Sequence, residues 1–428
     1  MKVLVTGSGG REHGLAWKIS QSPLVEQVFV APGNAGTAQE AGLTNVDIDA
    51  MDFDQLIEFV QTHNVELTVV GPEDPLVAGM VDKFKAAGLR CFGPDQLSAQ
   101  LEGSKSYTKS FLKKYEIPTG DYEVFEEADA AISYLSGKSP PFVIKADGLA
   151  AGKGVVIARD HDEAGETILD MLSGNRLGGA GSRIVIEEFL EGEEASFIVI
   201  ADGNSFLPFA SSQDHKAVYD GDRGPNTGGM GAYSPAPVVT PEVHERIVER
   251  IIKPTIAGMQ REGHPYTGFL YAGLMIDAEG NPQVIEFNCR FGDPETQPVM
   301  MRLSSDLVEL MLAAIDGDLD QQTIDFTADS ALCVVLASGG YPGSYEKGFQ
   351  IDGLDTVTGA KVFHAGTRLK NNVVETSGGR VLGVTALGDS ISSAQANAYK
   401  ALAGISFEGV QYRRDIGYRA VAREKIER

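Results

Sequence analysis

Short apolar runs alternate with amphipathic stretches over the first hundred residues. Strand-like segments such as KVLVTG at 2–7 and VELTVVG at 65–71 are separated by stretches with helical spacing, such as FDQLIEFVQTH at 53–63. A repeated β–α order of this kind predicts a doubly wound parallel sheet. We therefore expect an N-terminal domain of this type over residues 1–103.

The middle of the chain carries longer strands and more hairpins. A helix is expected to begin near Ser104, and the segments GFLYAGLMID and NPQVIEFN read as a hairpin that turns at 278–280. Beyond about residue 326, apolar strands again alternate with a helix-like segment, which predicts a separate α/β module. The expected fold is α/β, and α+β in its middle part, with a middle domain at 104–325, a lid subdomain at about 120–192 and a C-terminal domain at 326–428.

Residues 211–236 interrupt this pattern. The segment SSQDHKAVYDGDRGPNTGGMGAYSPAP around these positions is polar and rich in glycine. An irregular stretch of this length inside a compact domain is usually functional or disordered. We therefore expect it to be irregular and to contribute to a site.

Composition and charge narrow the function classes. The chain has 428 residues, of which 43% are hydrophobic, and a formal net charge of −24. That charge disfavours nucleic acid and anionic membranes as partners, because phosphate groups would be repelled over the whole surface. The three cysteines, Cys91, Cys289 and Cys333, form neither a disulfide framework nor a zinc spacing. Since no secretory leader or membrane-length run is evident, we expect a cytoplasmic protein.

The segment PPFVIKADGLAAGKGVVIA at 140–158 predicts a strand, a cationic glycine loop and a second strand. Its loop holds Lys145, Gly148, Gly152, Lys153 and Gly154. Glycines let backbone N–H groups approach phosphate oxygens, and lysines neutralise their charge. A Walker P-loop does not fit, because no Ser or Thr follows the lysine and the loop leads into a strand. The alternative is an ordinary hairpin with solvated lysines.

The first turn, GSGGREHG at 7–14, invites a dinucleotide-binding interpretation that two features disfavour. Glu12 occupies the third glycine position of that fingerprint, and the next strand, VFVAPGN, lacks the acidic residue that would hold a ribose hydroxyl. A helix N-terminus with Arg11 and His13 can still bind a phosphate or a polar substrate. The alternative is a glycine turn needed only for strand-to-helix geometry.

The strand PQVIEFNCR at 282–290 places polar groups on one side. Alternation gives one face to Glu286, Asn288 and Arg290, and the other to Ile285, Phe287 and Cys289. A carboxylate and an amide oxygen are hard ligands suited to Mg²⁺ or Mn²⁺. A solvent-facing strand is the simpler explanation, but the phosphate-type loop upstream favours a metal. Cys289 is expected in the core, without a nucleophilic role.

Eight motifs in a fixed order carry a resemblance that covers nearly the whole chain. They are GSGGREH at 7–13, PGN at 32–34, GPEDPL at 71–76, FVIKADGLAAGKGV at 142–155, EEFLEGEEAS at 187–196, QDHK at 213–216, NTGGMGAYSPAP at 226–237 and IEFNCRFGDPETQ at 285–297. In this content and order the sequence resembles the phosphoribosylamine–glycine ligase family, the glycinamide ribonucleotide synthetases of the ATP-grasp superfamily.

The resemblance implies an ATP-dependent carbon–nitrogen ligase of purine biosynthesis. Such an enzyme joins glycine to 5-phosphoribosylamine through glycyl phosphate and releases ADP and phosphate, with ATP as co-substrate and Mg²⁺ or Mn²⁺ as the metal. We expect a monomer, although no sequence feature excludes an oligomer. Two alternatives stay open: another ATP-grasp ligase or carboxylase that activates bicarbonate or a different carboxylate, and a nucleotide-binding regulatory protein without catalysis.

The same resemblance implies roles for individual residues. Catalytic roles fall on Lys145, Lys216, Arg290, Asp214 and Asp293. Nucleotide contacts fall on Lys105, Lys145, Gly148, Gly152, Lys153, Gly154, Glu187, Phe189, Leu190 and Glu194. Contacts with glycine or the sugar phosphate fall on Gly9, Gly10, Arg11, Glu12, Asn34, Glu73, Asp214, Arg290 and Gly292. The metal ligands are Glu286 and Asn288.

Two positions refine this assignment. Leu274 stands where many ATP-grasp enzymes carry an acidic metal ligand, so one bound ion is expected rather than two. His215, in QDHK, is expected to be a spacer and not a base.

Overall fold

Five parallel strands form the N-terminal sheet of the computed structural model, which describes residues 1–150, 154–173 and 181–426. The strands are β1 Lys2–Gly7, β2 Gln27–Pro32, β3 Leu43–Asn45, β4 Leu67–Val70 and β5 Cys91–Phe92. The helices are α1 Gly10–Ile19, α2 Ala35–Gln39, α3 Phe53–His63, α4 Glu73–Val77, α5 Met80–Ala86 and α6 Gln100–Gly103. The strand order β3-β2-β1-β4-β5 confirms the doubly wound prediction.

The order of this sheet reverses between β1 and β4, and that fixes where a ligand can bind. In open parallel sheets, ligands bind beyond the carboxyl ends of the two strands that flank the reversal. Two turns meet at this edge. The first leads from β1 through Gly9 into α1, which begins at Gly10, and the second leads from β4 into α4, which begins at Glu73.

A second, smaller sheet follows helix α7, Lys105–Lys114. Its elements are β6 Tyr122–Phe125, α8 Ala128–Leu135, β7 Phe142–Ala146, β8 Val155–Ala158, α9 His161–Leu172 and β9 Ile184–Glu188. The antiparallel pairing of β7 with β8 confirms the predicted strand, loop and strand. This sheet, in the order β6-β9-β7-β8, packs on α8 and α9 around an apolar core of its own. The limits of 120–192 for a lid stay a prediction.

The central part of the chain builds a four-stranded sheet in the order β11-β10-β16-β17. Its strands and their neighbours are β10 Glu193–Asp202, β11 Phe206–Pro208, β12 Gln213–Asp214, β13 Ala217–Tyr219, β14 Arg223–Asn226, β15 Gly231–Ser234, β16 Thr267–Ile276 and β17 Pro282–Asn288. The helices are α10 Pro241–Ile247, α11 Lys253–Arg261, α12 Thr296–Arg302 and α13 Leu307–Asp316, with a π-helical turn at Val248–Ile252 and a 3₁₀ turn at Leu319–Gln321.

The C-terminal part adds β18 Ser330–Ala337, β19 Lys361–His364, β20 Thr367–Lys370, β21 Val373–Thr376 and β22 Arg380–Gly388, with a 3₁₀ turn at Leu354–Thr356 and helices α14 Ile391–Leu402 and α15 Tyr418–Ile426. Its sheet has the order β12-β15-β18-β22-β19, so two of its strands come from before residue 326. The expected C-terminal α/β module is present, and β12 and β15 extend its sheet from the preceding part of the chain. The domain limits at 103 and 325 themselves stay predictions.

The glycine-rich segment 211–236 is more ordered than its composition suggests. It contains β12 to β15, and all four residues of β15 are buried. Tyr233 pairs with Leu332 on β18, and its hydroxyl donates to the amide oxygen Oε1 of Gln213 over 2.8 Å. The expectation of an irregular segment is wrong here because tertiary strand pairing supplies hydrogen bonds that local sequence cannot.

Two further predictions concerned the cysteines and membrane-spanning helices. The side chains of all three cysteines are buried and form no disulfide. Within the described part of the chain, every helix is too short or too polar to span a bilayer.

Arg413 is the largest fully buried side chain, and it joins the C-terminal part to the segment 213–226. Its guanidinium pairs with Asp222 at 2.8 Å and with Asp415 at 2.8 Å, and it donates to the carbonyl of Ala217 over 3.1 Å. A buried charge needs partners of this kind, because removing one member leaves the others without compensation.

Replacing Arg413 with Met should destabilise the protein by about 1–3 kcal/mol, because two partly exposed carboxylates lose a buried cation. Asp222 keeps a second partner, Arg419 at 3.0 Å, so only part of its compensation is lost. Urea unfolding followed by circular dichroism measures this as a lower midpoint. Arg414→Met is the matched control, because Arg414 is exposed and only its backbone N–H is bonded, to Asp220. Equal midpoints for the two variants would contradict the structural role of Arg413.

Candidate active site

The hairpin of β16 and β17 forms the floor of a small cleft. The strands pair antiparallel, as predicted, and a bulge opposite Gly273 places both Ile285 and Glu286 toward the cleft. The predicted alternation is therefore wrong for Ile285, because a bulge inserts one extra residue and shifts the facing pattern. The cleft is lined by Glu194, Ala195, Asp214, Lys216, Tyr271, Gly273, Leu274, Ile285 and Glu286.

Four cations act on the carboxylate of Glu286. Burial raises its pKa, but Lys216, Lys145, Lys105 and Arg290 outweigh burial and lower the pKa below its ordinary value. Glu286 is therefore ionised at neutral pH. An ionised carboxylate among several cations is a suitable place for a group that carries both positive and negative charge, such as a metal-bound phosphate.

Lys145 connects the small sheet to the floor of the cleft. Its ammonium on β7 donates to the carbonyl of Ile285 over 3.1 Å and pairs with Glu187 at 2.9 Å. Glu187 also pairs with Lys109 at 2.7 Å. Sequence reasoning missed Lys109, although it lies four residues after Lys105 and so shares a helix face with it.

Lys105 lies at the start of α7, beside the glycine loop. Ser104 caps this helix, as predicted, by accepting from the N–H of Tyr107. The ammonium of Lys105 donates to the carbonyl of Gly148 over 3.1 Å. Asp147 fixes the loop to the helix, because its carboxylate accepts from the N–H of Ser106 over 2.7 Å. Burial lowers the pKa of Lys105, and Glu286 opposes that effect.

The remainder of the glycine loop is only partly described. The carbonyl of Gly154 accepts a hydrogen bond from the N–H of Ala146 over 2.8 Å. A Cβ on Gly154 would come within 2.7 Å of the Ala150 side chain. Gly152 and Lys153 lie outside the described residues. Their predicted contacts with nucleotide phosphates stay predictions.

A lysine and two carboxylates line the opposite wall. Lys216 pairs with Asp214 at 2.8 Å and lies 3.8 Å from Glu194. Burial lowers the pKa of Lys216, but Asp214 and neighbouring anions raise it well above its ordinary value, so the lysine stays charged. His215 between them is engaged elsewhere, since its Nε2 accepts from the N–H of Gly417 over 2.9 Å. Its expected role as a spacer stays a prediction.

Two arginines and their carboxylates form a network at the edge of the N-terminal sheet. Arg290 pairs with Glu73 at 3.1 Å and with Glu102 at 2.8 Å. Arg11 lies 3.5 Å from Glu73 and pairs with Glu12 at 2.6 Å. The cluster joins β17 to the turn after β1, so the predicted substrate residues at these positions lie together.

Burial and charge act in opposite directions in this network. Burial raises the pKa of Glu73, but Arg290 and Arg11 outweigh it and hold that pKa at about 2. Burial raises the pKa of Glu102 to about 7, against the effect of Arg290. Glu102, whose carboxylate also accepts from the N–H of Cys289 over 2.7 Å, was missed by the sequence analysis. Nothing in its local sequence distinguishes it from a surface helix residue.

The loop after β17 lies against the turn after β1. A Cβ on Gly9 or Gly10 would lie 3.7 or 3.6 Å from an Asp293 oxygen, which is an ordinary contact distance. A Cβ on Gly9 would also lie 2.6 Å from Glu12 Oε2, so that side chain would have to shift. Gly292 is equally confined, because a Cβ there would meet the Glu295 carboxylate at 2.5 Å.

Asp293 is held by an arginine from the C-terminal part. Arg380 pairs with the Asp293 carboxylate at 2.9 Å and donates to its carbonyl over 2.6 Å. It also donates to the carbonyl of Gly228 over 2.6 Å, in the glycine-rich segment. The sequence analysis missed Arg380 because it lies about 90 residues from the loop that it contacts.

Asn34 and His13 are occupied by structural hydrogen bonds. The Asn34 amide donates to the carbonyls of Ser8 and His364 over 2.9 and 2.8 Å, and its oxygen caps α2. His13 accepts from the N–H of His364 over 2.9 Å and contacts Glu40 at 3.2 Å. The expectation that His13 binds a phosphate is therefore wrong, and the contact of Asn34 with substrate stays a prediction.

The end of β9 and the residues after it carry the predicted adenine-binding positions. The Glu187 carboxylate is buried and paired with two lysines, whereas Phe189 is 37% exposed and Leu190 is half-buried. An exposed aromatic ring can pack against a planar ligand. Glu187 therefore differs from its two neighbours, since its carboxylate already has two cationic partners.

The donor set suits a hard divalent cation. Glu286 provides an ionised carboxylate, and the Asn288 amide is buried two residues further along β17. Among the described residues, no three His, Cys, Asp or Glu side chains converge as they would in a site made by protein alone. Oxygen ligands from a nucleotide and from water would have to complete the shell, as is usual for Mg²⁺.

Sequence profiles of one family match most of the chain. The profiles are described as "Phosphoribosylglycinamide synthetase, N domain" at residues 1–102, "ATP-grasp (A) domain" at 103–296 and "C domain" at 331–419. A phosphoribosylamine–glycine ligase of Allochromatium vinosum is 61% identical over 427 residues, covering 99% of this chain and 100% of that protein. A phosphoribosylamine–glycine ligase of Escherichia coli K12 is 60% identical, covering 99% of this chain and 100% of that protein.

Solved structures agree with this relationship. The phosphoribosylamine–glycine ligase of Thermotoga maritima superposes with a TM-score of 0.84 at 36% identity, over 97% of this chain and 100% of that one. Biotin carboxylase of Campylobacter jejuni shares the fold alone, with a TM-score of 0.76 at 13% identity, over 97% of this chain and 93% of that one. With three profiles in order and relatives of 60% identity over its full length, the chain belongs to the phosphoribosylglycinamide synthetase family.

Proposed function

We propose that this protein joins glycine to 5-phosphoribosylamine with ATP, through glycyl phosphate, and so makes glycinamide ribonucleotide, ADP and phosphate in purine biosynthesis. The observation that carries the proposal is the convergence of Lys105, Lys145, Lys216 and Arg290 around one ionised carboxylate, Glu286. The names of the full-length relatives support the choice of substrates.

In the first step, a carboxylate oxygen of glycine attacks the γ-phosphorus of ATP, and the bond from that phosphorus to ADP breaks. Such a step depends on positioning and on neutralising charge, which fixed cations provide. Lys105 and Lys145 lie beside the glycine loop and are assigned to the phosphates. Lys216, on the cleft wall, and Arg290, just after β17, are assigned to glycine and the transferred phosphoryl group.

Glu286 and Asn288 would hold a divalent cation, Mg²⁺ or Mn²⁺, which when bound supplies Lewis-acid neutralisation of the triphosphate. Leu274, buried in the cleft wall, offers no oxygen, so we propose one ion. The Asp214 carboxylate keeps Lys216 charged, and Asp293, held by Arg380, fixes the loop beside Gly9 and Gly10.

In the second step, the amine of phosphoribosylamine attacks the acyl carbon of glycyl phosphate, the carbon–oxygen bond to phosphate breaks, and the amine gives up a proton. The sugar phosphate is assigned to the edge formed by Gly9, Gly10 and Arg11, with Glu73 opposite. This edge is where the strand order of the N-terminal sheet reverses. No side-chain nucleophile is needed, and the buried Cys289 is unsuited to be one because burial raises its pKa.

We also propose a monomer in the cytoplasm, without nucleic-acid or membrane partners. Three free, buried cysteines suit a reducing compartment. A net charge of −24 suits small polar substrates bound locally better than an extended anionic surface.

The fate of the glycine oxygens tests the proposed chemistry. Glycine labelled with ¹⁸O in both carboxylate oxygens should give phosphate with one ¹⁸O and an amide with the other, since one oxygen forms the bond to phosphorus and leaves with it. Mass spectrometry of the released phosphate measures this. ADP release that depends on bicarbonate, and not on glycine with phosphoribosylamine, would support the carboxylase alternative instead.

Replacing Glu286 with Gln should lower turnover by about 10²-fold or more, because a charge that stabilises the transition state through the bound cation is lost. The Mg²⁺ concentration for half-maximal rate should rise, while the melting temperature changes little. Glu279→Gln, in the exposed turn of the same hairpin, is the matched control. An unchanged metal dependence would remove Glu286 from the site.

A further inference from the structure

Lys109, Glu187 and Lys145 form a buried row of alternating charges. The Glu187 carboxylate pairs with Lys109 at 2.7 Å through one oxygen and with Lys145 at 2.9 Å through the other. All three side chains are buried: Glu187 is 6% exposed, Lys109 is 3% exposed and Lys145 is 4% exposed. The row carries one more positive charge than negative, so one of the two lysines is in excess over what the carboxylate requires.

The two lysines belong to different parts of the fold. Lys109 lies on α7, whose apolar face, including Phe111, packs in the central core. Its ammonium also donates to the Thr119 hydroxyl over 2.7 Å, and that hydroxyl donates to the carbonyl of Val284 on β17 over 2.7 Å. Lys145 lies on β7, in the small sheet with its own core. Lys109 is therefore anchored to the central part, beside the metal-binding strand.

If Lys145 binds the nucleotide phosphates, its ammonium turns away from Glu187. With Lys145 as its only partner, Glu187 would then be a buried carboxylate without a cation, which is strongly unfavourable. Lys109, bonded through Thr119 to β17, would still pair with Glu187 in that state. The second lysine thus reduces the free energy needed to free the first one.

We propose that Lys109 is a positioning residue for nucleotide binding, which acts by keeping Glu187 compensated while Lys145 moves to the ATP phosphates. The proposal rests on the function proposed above for Lys145. In this proposal the Glu187 carboxylate is the resting partner of Lys145 and does not bind the adenine ring directly.

A double-mutant cycle tests the charge argument. Lys109→Met should raise the KM for ATP roughly tenfold, because ATP then has to break a buried pair whose carboxylate has no other cation. In a Glu187→Gln background, the same Lys109→Met change should alter the KM for ATP by less than about twofold, since no carboxylate remains. The KM for glycine should change little in all three variants.

Two further variants separate the possible failures. Lys113→Met is the matched control, because Lys113 is an exposed residue of the same helix, and its KM for ATP should equal that of the unaltered protein. Lys145→Met should raise the KM for ATP strongly. If Lys145→Met has no such effect, the proposed function of Lys145 fails. If Lys145→Met raises the KM for ATP, but Lys109→Met raises that KM equally with and without the Glu187 carboxylate, only the inference about Lys109 is overturned.

Folding can be separated from nucleotide binding in the same series. Lys109→Gln keeps a donor for Glu187 without the charge, and it replaces Lys109→Met in the cycle if the Met variant does not fold. Melting temperatures without nucleotide report any general loss of structure. A parallel rise in the KM values for ATP and glycine would show a structural role only and would overturn the proposal.

Discussion

Pairing of buried charge is the constraint on which the arrangement of this cleft depends. Ionised groups taken out of water must have partners of opposite charge, or they lose their charge or destabilise the fold. Here Lys145 is held by Glu187, Lys216 by Asp214, and Arg290 by Glu73 and Glu102. Each of these cations therefore has a carboxylate partner before any substrate binds.

The same constraint explains how distant parts of the chain are joined. Arg380 connects the C-terminal part to the loop of Asp293, and Arg413 connects it to the segment 213–226. Strand β15 supports both contacts by adding this segment to the C-terminal sheet. The C-terminal part thus fixes both the loop of Asp293 and the segment that carries Asp214 and Lys216.

Much of the site could be predicted because its chemistry lies in short motifs with regular spacing. The lysines of the glycine loop, the carboxylate and amide of β17 and the QDHK segment were all assigned from sequence, and the described residues Lys145, Glu286 and Lys216 meet around one cleft. Lys109, Glu102 and Arg380 were missed, since each acts across contacts between segments far apart in the chain. Ile285 was placed on the wrong face because a bulge cannot be read from alternation.

Local sequence was sufficient to predict most strands and helices, the family, and the residue types available for phosphate, metal and glycine. Those properties follow from local periodicity and from motifs a few residues long. Which charges neutralise each other, that β15 joins the C-terminal sheet, and that Asn34 and His13 bond to the backbone of His364 could be seen only in the folded chain. Ion pairing and strand pairing depend on distances in space, and those distances are set by the packing of the whole chain.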